Sequence, residues 1–161
     1  FGRYSSGNPL TVFVQNNWSR SQWAPALAPG IGRDRPNYAP GRNGDNAIQG
    51  DVNQWFDPSA FVLQPAGTPG NTGRGDLIGP DQETVDLALV KNTAWSALGD
   101  AGRVEFRIEF FNLLNRTNLG TPSLVAFSGT RDGEAPLASF GRIRQTSTSA
   151  RQMQLGVRFV F

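Results

Sequence analysis

Apolar and polar residues alternate strictly through most of the last twelve positions of the chain, 150–161. Because successive side chains of a strand point to opposite faces, this period predicts a β-strand with one apolar face. The apolar face would carry Met153, Leu155, Val157, Phe159 and Phe161. The other face would carry Gln152, Gln154, Gly156 and Arg158, with Val160 as its one apolar member. The segment is as long as the roughly 9–11 residues that a tilted strand needs to cross a membrane.

Three earlier segments repeat this alternation. In 103–112 the apolar positions are Val104, Phe106, Ile108 and Phe110, and the charged positions are Arg103, Glu105, Arg107 and Glu109. In 85–91 Val85, Leu87 and Leu89 stand opposite Asp86, Ala88 and Val90. A weaker pattern covers 9–15, where Pro9 suits the first position of a strand. The charged faces fit either a solvated sheet surface or a watery lumen whose opposite, apolar face meets lipid.

The connections between these strands have very unequal lengths. Residues 93–102 form a short link, whereas 16–83 and 115–149 are long and rich in Gly, Pro, Asn and Ser. Such long loops are uncommon in compact domains, but outer-membrane barrels combine short periplasmic turns with long extracellular loops. If Phe161 lies at the periplasmic rim, both long loops fall outside the cell and 93–102 forms a periplasmic turn. The predicted fold class is therefore all-β, an antiparallel up-and-down transmembrane β-barrel segment of about four strands with two long external loops.

The composition supports a loop-rich β protein and argues against catalysis. Apolar residues make up 38% of the chain, which has 19 glycines and 11 prolines. With no Cys and no His, the chain lacks a thiol nucleophile, the commonest general base and the commonest metal ligand. A net charge of +2 without a run of like charges argues against nucleic acid as a partner. We expect no enzyme activity, no cofactor and no metal.

The start of the chain and its longest apolar runs bear on whether the chain is processed and whether it contains a membrane helix. The chain opens with Phe1 and has neither an initiator Met nor an apolar leader, so we expect a processed chain or a fragment. No run approaches the roughly 18 apolar residues of a membrane helix.

Several polar groups have both a chemical and a structural interpretation. Glu105 and Glu109 could form a catalytic carboxylate pair, but their alternation with Arg103 and Arg107 favours a neutralised ladder of charges. Five loop residues could supply oxygens to calcium, although polar turns explain them better. These residues are Asn43, Asp45, Asn46, Asp51 and Asn53.

A glycine-rich segment contains the adhesion tripeptide at 74–76 and spaced glycines like those of a phosphate-binding loop. No following helix and no suitably placed lysine accompany Gly70, Gly73 and Gly75, so we interpret these glycines as flexible loop residues.

The four tryptophans are predicted to lie in loops or turns rather than in strand centres. They are Trp18, Trp23, Trp55 and Trp95. Trp95 is the best candidate for an interfacial aromatic belt, and Trp55 could hold its own loop together. Stacking of Trp18 or Trp23 on a sugar is an open alternative.

In their order and spacing, several segments resemble the C-terminal end of TonB-dependent outer-membrane receptors, of the type with an N-terminal carboxypeptidase-regulatory-like domain. The resemblance covers almost the whole chain. The matching segments are 55–61 (WFDPSAF), 70–74 (GNTGR), 79–80 (GP), 85–89 (VDLAL), 107–118 (RIEFFNLLNRTN), 140–143 (FGRI) and 150–161 (ARQMQLGVRFVF).

The resemblance implies a large barrel with a plug in its lumen, which takes up a scarce nutrient. It also implies that the alternating residues Met153, Leu155, Val157, Phe159 and Phe161 form the signal read by the barrel-assembly machinery. The expected partners are the remaining strands and plug of the same receptor, that machinery, an inner-membrane energy-coupling complex acting through the plug, and the lipid bilayer. The plug and the coupling box lie outside this chain, so we expect no transport by the chain alone.

Two alternatives remain open at this point. One is a secreted β-sheet protein that assembles edge to edge with copies of itself into a fibre, tube or surface layer. The other is a soluble carbohydrate-binding β-sandwich. A sandwich would bury the apolar faces between two sheets, whereas a barrel would present them outward as a band.

Overall fold

In the computed structural model, residues 1–21, 34–99 and 101–161 are described, and within these ranges the chain is all-β, as predicted. The strands are β1 (Gly2–Ser5), β2 (Pro9–Leu10), β3 (Phe13–Val14), β4 (Asn37–Tyr38), β5 (Ile48–Asp51), β6 (Gln54–Phe56), β7 (Phe61–Val62), β8 (Leu77–Ile78), β9 (Gln82–Val85), β10 (Leu87–Ala94), β11 (Arg103–Phe111), β12 (Val125–Phe127) and β13 (Gln152–Val160). The helical turns of the described ranges are two short 3-10 helices, Pro58–Ala60 and Ser96–Leu98. None of the described helices is long and apolar enough to cross a membrane.

The chain divides into two compact units. The first, called the sheet unit, comprises Phe1–Ser5, Asp81–Asn118 and Ser147–Phe161. The second, called the core unit, comprises Ser6–Pro80 and Leu119–Thr146.

Three long strands of the sheet unit pair in the order β10, β11, β13, and every pairing is antiparallel. The register of β10 with β11 runs from Leu87↔Phe110 to Ala94↔Arg103. The register of β11 with β13 runs from Arg103↔Val160 to Phe111↔Gln152. The antiparallel pairing predicted for these three strands is therefore confirmed.

The connection between β10 and β11 is tighter than the predicted turn at 93–102. Thr93 and Ala94 still belong to β10 and pair with Val104 and Arg103, so the turn proper spans 95–102. The Trp95 N–H donates to the Gly102 carbonyl oxygen at 2.9 Å and closes the turn. The prediction placed these two residues wrongly because polar Asn92 and Thr93 interrupt the apolar alternation.

The short strand β1 extends this sheet at the β9 end. Gly2–Ser5 pairs antiparallel with Gln82–Val85. Asp86 and Phe1 exchange hydrogen bonds at 2.7 and 2.8 Å, while the Val85 carbonyl oxygen accepts from Leu113 N–H at 2.7 Å. Since successive carbonyl groups of a strand point to opposite edges, β1 and β11 flank β9 and β10 on opposite sides. Val85 thus belongs to β9 rather than to the predicted 85–91 strand.

The predicted strand at 9–15 is wrong as a fourth member of this sheet. Pro9–Leu10 pairs instead with Leu77–Ile78, and Phe13–Val14 pairs in parallel with Val125–Phe127. The alternation that suggested the strand reflects burial, because Val12 and Val14 are both fully buried in the core unit. Alternation identifies an apolar face but does not say what covers it.

The predicted loops 16–83 and 115–149 contain much more structure than expected, because together they supply most of the core unit. The core consists of Val12, Val14, Ala47, Phe56, Ala60, Phe61, Leu77, Ala126, Phe127 and Phe140. Phe140 lies between two aromatic rings, with centroid distances of 5.6 Å to Phe56 and 5.3 Å to Phe61. The apolar residues within long polar loops can therefore pack together into a core.

Trp55 lies in the middle of β6, so its predicted place in a loop or turn is wrong. Its indole N–H donates to the Ile78 carbonyl oxygen at 3.0 Å and its backbone N–H to the Gly141 carbonyl oxygen at 2.9 Å. These bonds confirm that Trp55 holds this region together. The Trp18 indole similarly donates to the Gln64 carbonyl oxygen at 2.8 Å. Trp23 lies outside the described residues.

The glycine-rich segment lies in a loop, as predicted, and its glycines allow a specific backbone path. Gly75 adopts a positive φ of 66°, and a Cβ on Gly70 would lie 1.7 Å from the Arg35 carbonyl oxygen. The Asp76 carboxylate accepts from Gly73 N–H at 2.9 Å and from the Tyr38 hydroxyl at 3.2 Å. Burial and this carboxylate raise the pKa of Tyr38 to about 12.

Candidate functional site

The register of the sheet unit places the predicted apolar residues on one shared face. Cross-strand partners lie on the same side of a sheet, so each row of paired residues belongs to one face. The rows of this face are Leu87–Phe110–Met153, Leu89–Ile108–Leu155, Lys91–Phe106–Val157 and Thr93–Val104–Phe159. We call this surface the apolar face. The predicted grouping of the β11 and β13 residues is confirmed.

Most of the apolar face is open to its surroundings, but Val104 is only 4% exposed, so this predicted lipid-facing residue is covered by its neighbours. Leu155 is 68% exposed, Phe106 48% and Phe159 51%. A sheet in a soluble sandwich buries one face against a second layer, and exposed apolar patches of this kind mark interaction surfaces. The exposure therefore argues against the soluble-sandwich alternative.

The opposite face, here called the polar face, carries the predicted charged ladder. Its rows are Ala88–Glu109–Gln154, Val90–Arg107–Gly156, Asn92–Glu105–Arg158 and Ala94–Arg103–Val160. Arg107 Nη1 lies 3.4 Å from Glu109 Oε1, and Glu105 stands directly opposite Arg158. Arg107 separates the two carboxylates along β11, so Glu105 and Glu109 do not form the juxtaposed pair that acid–base catalysis needs. Exposed ion pairs of this kind contribute little stability individually.

An aromatic cluster closes the turn end of the apolar face. The rings of Trp95 and Phe159 are tilted at 45° with centroids 6.3 Å apart. They border an open apolar groove of about 290 Å³, lined by Thr93, Trp95, Val104, Phe106, Val157 and Phe159. Trp95 is about half exposed, so its indole is accessible at the turn end of the sheet.

At the other end of the sheet, buried asparagine amides join the segments that follow the strands. Asn118 is fully buried, accepts from Glu83 N–H at 2.8 Å, and donates to the Glu83 carbonyl oxygen and Thr148 Oγ1 at 2.9 Å each. Asn112 donates to the carbonyl oxygens of Arg116 and Ser149 at 3.0 and 3.1 Å. These amides hold together backbone that would otherwise lose its ladder partners.

Arg116 adds charged contacts to the same end. Its guanidinium bonds the Asp81 carboxylate at 2.6 Å and also contacts the Glu83 carboxylate. Sequence reasoning missed this network, although the asparagines of the 107–118 segment lie in one of the stretches that carry the family resemblance. Their regular spacing at 112, 115 and 118 was the available signal.

The loop residues that could have supplied oxygens to calcium form local polar turns. Asn43 Oδ1 accepts from the N–H groups of Asp45 and Asn46, and Asp51 Oδ1 accepts from Asn53 N–H at 2.7 Å. These contacts confirm the interpretation of polar turns. No group of acidic side chains suited to a metal ion occurs among the described residues.

A family model described as an outer membrane beta barrel domain matches residues 1–154. The chain belongs to this family. No curated protein and no solved structure matches it. Membership in the outer membrane beta barrel family places the protein in the bacterial outer membrane.

Family membership accounts for the arrangement of the sheet unit. Barrels of the outer membrane carry an apolar band on the outside and a polar interior, with strands that alternate between the two. The three long strands have 8, 9 and 9 residues, which approaches the length of about 9–11 for a membrane-crossing strand. The sequence family and the exposed apolar face thus point to the same environment.

Proposed function

We propose that the chain is the C-terminal barrel segment of a TonB-dependent outer-membrane transporter that takes up a scarce nutrient. The observation that carries this proposal is the apolar face, which runs in register across three antiparallel strands and is open along most of its length. The outer membrane beta barrel family gives the location. The motifs that resemble TonB-dependent receptors support the type of receptor that we propose.

In this proposal the apolar face meets lipid and the polar face lines the lumen. The lipid-facing residues are Val85, Leu87, Leu89, Val104, Phe106, Ile108 and Phe110, together with the alternating residues of β13. The lumen-facing residues are Glu105, Arg107, Glu109, Gln152, Gln154 and Arg158. A charge costs little in a water-filled lumen but several kcal/mol in hydrocarbon. This difference is the physical reason for the assignment.

The strand edges define the partners of the segment. β13 pairs with β11 on one side, and its other edge has no partner strand among the described residues. Within a bilayer every backbone N–H and C=O must be bonded, so that edge requires another strand. We propose that the remaining strands of the same receptor supply it. The alternating apolar residues up to Phe161 would then be read by the barrel-assembly machinery.

A genetic experiment tests the transporter function. The host strain is deleted for the complete receptor, for the inner-membrane energy-coupling protein, or for both, and growth is measured on an array of single limiting nutrients. We expect the two single deletions to impair use of the same nutrient, with no further loss in the double deletion. Energy coupling and receptor would then act in one pathway.

Two results would contradict the proposal. One is a nutrient whose use requires the receptor but not the coupling protein. The other is the absence of any nutrient whose use both deletions impair. A strain expressing the receptor from a plasmid serves as the control, because it should regain growth only when the coupling protein is present.

A further inference from the structure

We propose that Lys91 and the groove beside Trp95 form a binding site for one anionic phospholipid. The Lys91 side chain would extend toward the Trp95 end of the apolar face, where its ammonium group binds the phosphate of the headgroup, and the adjoining groove would hold the first part of an acyl chain. The inference rests on the proposed function, because it requires the apolar face to meet lipid.

Lys91 occupies an unusual position. It is the single lysine of the sequence, and the register places it on the apolar face, in the row Lys91–Phe106–Val157. The other members of the four rows of this face are uncharged. A cation on a lipid-facing strand is unfavourable unless it reaches the interface or meets an anion.

No carboxylate within the described ranges pairs with Lys91. The salt bridges there involve Arg42, Arg107 and Arg116 as the cations. Glu105 and Glu109, on the neighbouring strand, lie on the polar face. The ammonium group is therefore available to an anion that approaches from the lipid side.

The groove and the cation adjoin each other. Phe106 is the cross-strand partner of Lys91 and also lines the groove. Thr93, two residues beyond Lys91 on the same strand face, lines it as well. The volume of about 290 Å³ is close to the lower limit of roughly 300 Å³ for ligand pockets, so it suits part of an acyl chain rather than a whole ligand.

A site with one cation beside an apolar groove suits a ligand that has both an anionic group and an apolar chain. A phospholipid has both an anionic phosphate and an apolar chain, and a lysine stem can lie along apolar surface while its ammonium group stays at the headgroups. A zwitterionic headgroup brings its own cation and gains less from Lys91. An anionic headgroup has the complementary charge, and attraction of this kind is established for cations near anionic bilayers.

Quenching of Trp95 fluorescence by brominated lipids tests this site. The complete protein is placed in vesicles of four parts phosphatidylcholine and one part phosphatidylglycerol, and bromine is carried by the acyl chains of only one lipid at a time. The Trp95 signal is the difference between the protein and its W95F variant. The quenching of Trp95 is divided by the number of brominated lipid molecules. The readout is the ratio of this value for the anionic lipid to the value for the neutral lipid.

We expect a ratio of about 5, the enrichment that one cation near an anionic bilayer surface produces. K91Q should lower the ratio to about 1, because the phosphate loses its partner. R107Q is the matched control. It removes one positive charge from the adjacent row but on the polar face, and should leave the ratio unchanged.

The outcomes separate this inference from the proposed function. A ratio near one in the unmodified protein, or the same ratio in K91Q, would overturn the lipid site and leave the lipid-facing assignment intact. Quenching of Trp95 by neither brominated lipid would overturn the lipid-facing assignment and the lipid site together.

Discussion

Asn118 holds two segments of the sheet unit through one buried amide. Both its oxygen and its nitrogen are bonded, and the side chain is only 1% exposed. Replacement by Ala would leave Glu83 N–H, the Glu83 carbonyl group and the Thr148 hydroxyl without these bonds. We expect N118A to lower the free energy of unfolding of the complete protein by about 1–3 kcal/mol.

Denaturant unfolding in detergent, followed by tryptophan fluorescence, measures this change. N92A is the matched control, because Asn92 is exposed in the middle of β10 and should change stability by less than about 0.5 kcal/mol. Equal unfolding midpoints for the two variants would show that the Asn118 network contributes no specific stability.

Glu134 gives the core unit a dependence on acid pH. Burial raises the pKa of this carboxyl, but hydrogen bonds from Gly129 N–H, Ser128 Oγ and Thr130 outweigh burial and lower the pKa below its ordinary value. A pKa lowered by folding adds stability above the unfolded-state pKa, and this stability is lost as the pH falls through the folded-state value. We expect the core unit to lose stability as the pH falls through and below the ordinary Glu pKa of about 4.3.

E134Q should remove part of this loss, because the amide cannot take up the proton. The measurement is the denaturation midpoint at several pH values, followed through the Trp18 and Trp55 signals. D132N is the control for overall charge, since Asp132 is exposed in the same loop. A pH profile of E134Q that matches that of the unmodified protein would refute the assignment.

At the scale of the element, β13 provides a direct test of facing. Leu155 and Gln154 are neighbours in the central part of this strand and lie on opposite faces. An arginine on the lipid face costs about 2–4 kcal/mol near the bilayer midplane, whereas one in the lumen is tolerated. We therefore expect L155R to lower insertion into vesicles strongly and Q154R to leave it nearly unchanged.

The fraction of protein that shifts in mobility on unheated gels measures insertion. Similar insertion of both variants would contradict the lipid-facing assignment. Poorer insertion of Q154R than of L155R would reverse it.

The end of the same strand is the proposed assembly signal. Deleting Phe161 removes the last aromatic residue of the apolar alternation, so we expect much less complete receptor in the outer membrane. R74A changes a loop residue of the core unit and should have a far smaller effect. The measurement is the amount of receptor in outer-membrane fractions of the strain with the Phe161 deletion and of the strain with R74A. Equal amounts of receptor in the two strains would show that Phe161 is merely structural.

For the whole molecule, the sheet unit predicts that the isolated chain requires partners. Its three long strands and β1 are far fewer than the roughly eight strands of the smallest common barrels. Open edges are excluded in lipid and recruit further strands in water. We expect the purified chain to associate without detergent and to bind detergent when it is supplied.

Sedimentation with and without detergent checks this expectation. A monodisperse monomer that is independent of detergent and unfolds cooperatively would contradict the barrel segment and favour a soluble sandwich. Ordered assemblies that persist in detergent would instead support edge-to-edge association of copies of the chain.

The sequence by itself determined the faces of the long strands. Alternation in 103–112 and 150–161 assigned each side chain to a face, because the side-chain period of a strand does not depend on its partners. The antiparallel order of the three long strands was predicted because strands that follow each other in sequence usually pair.

Only the tertiary structure decided what covers an apolar face. Val12 and Leu155 both belong to alternating segments, yet the first is buried in the core unit and the second is 68% exposed. The short strand Gly2–Ser5 has no apolar alternation and is defined by its bonds to β9. The core unit likewise assembles from residues far apart in the chain, such as Phe56 and Phe140. Burial and pairing depend on such long-range contacts, which local periodicity does not encode.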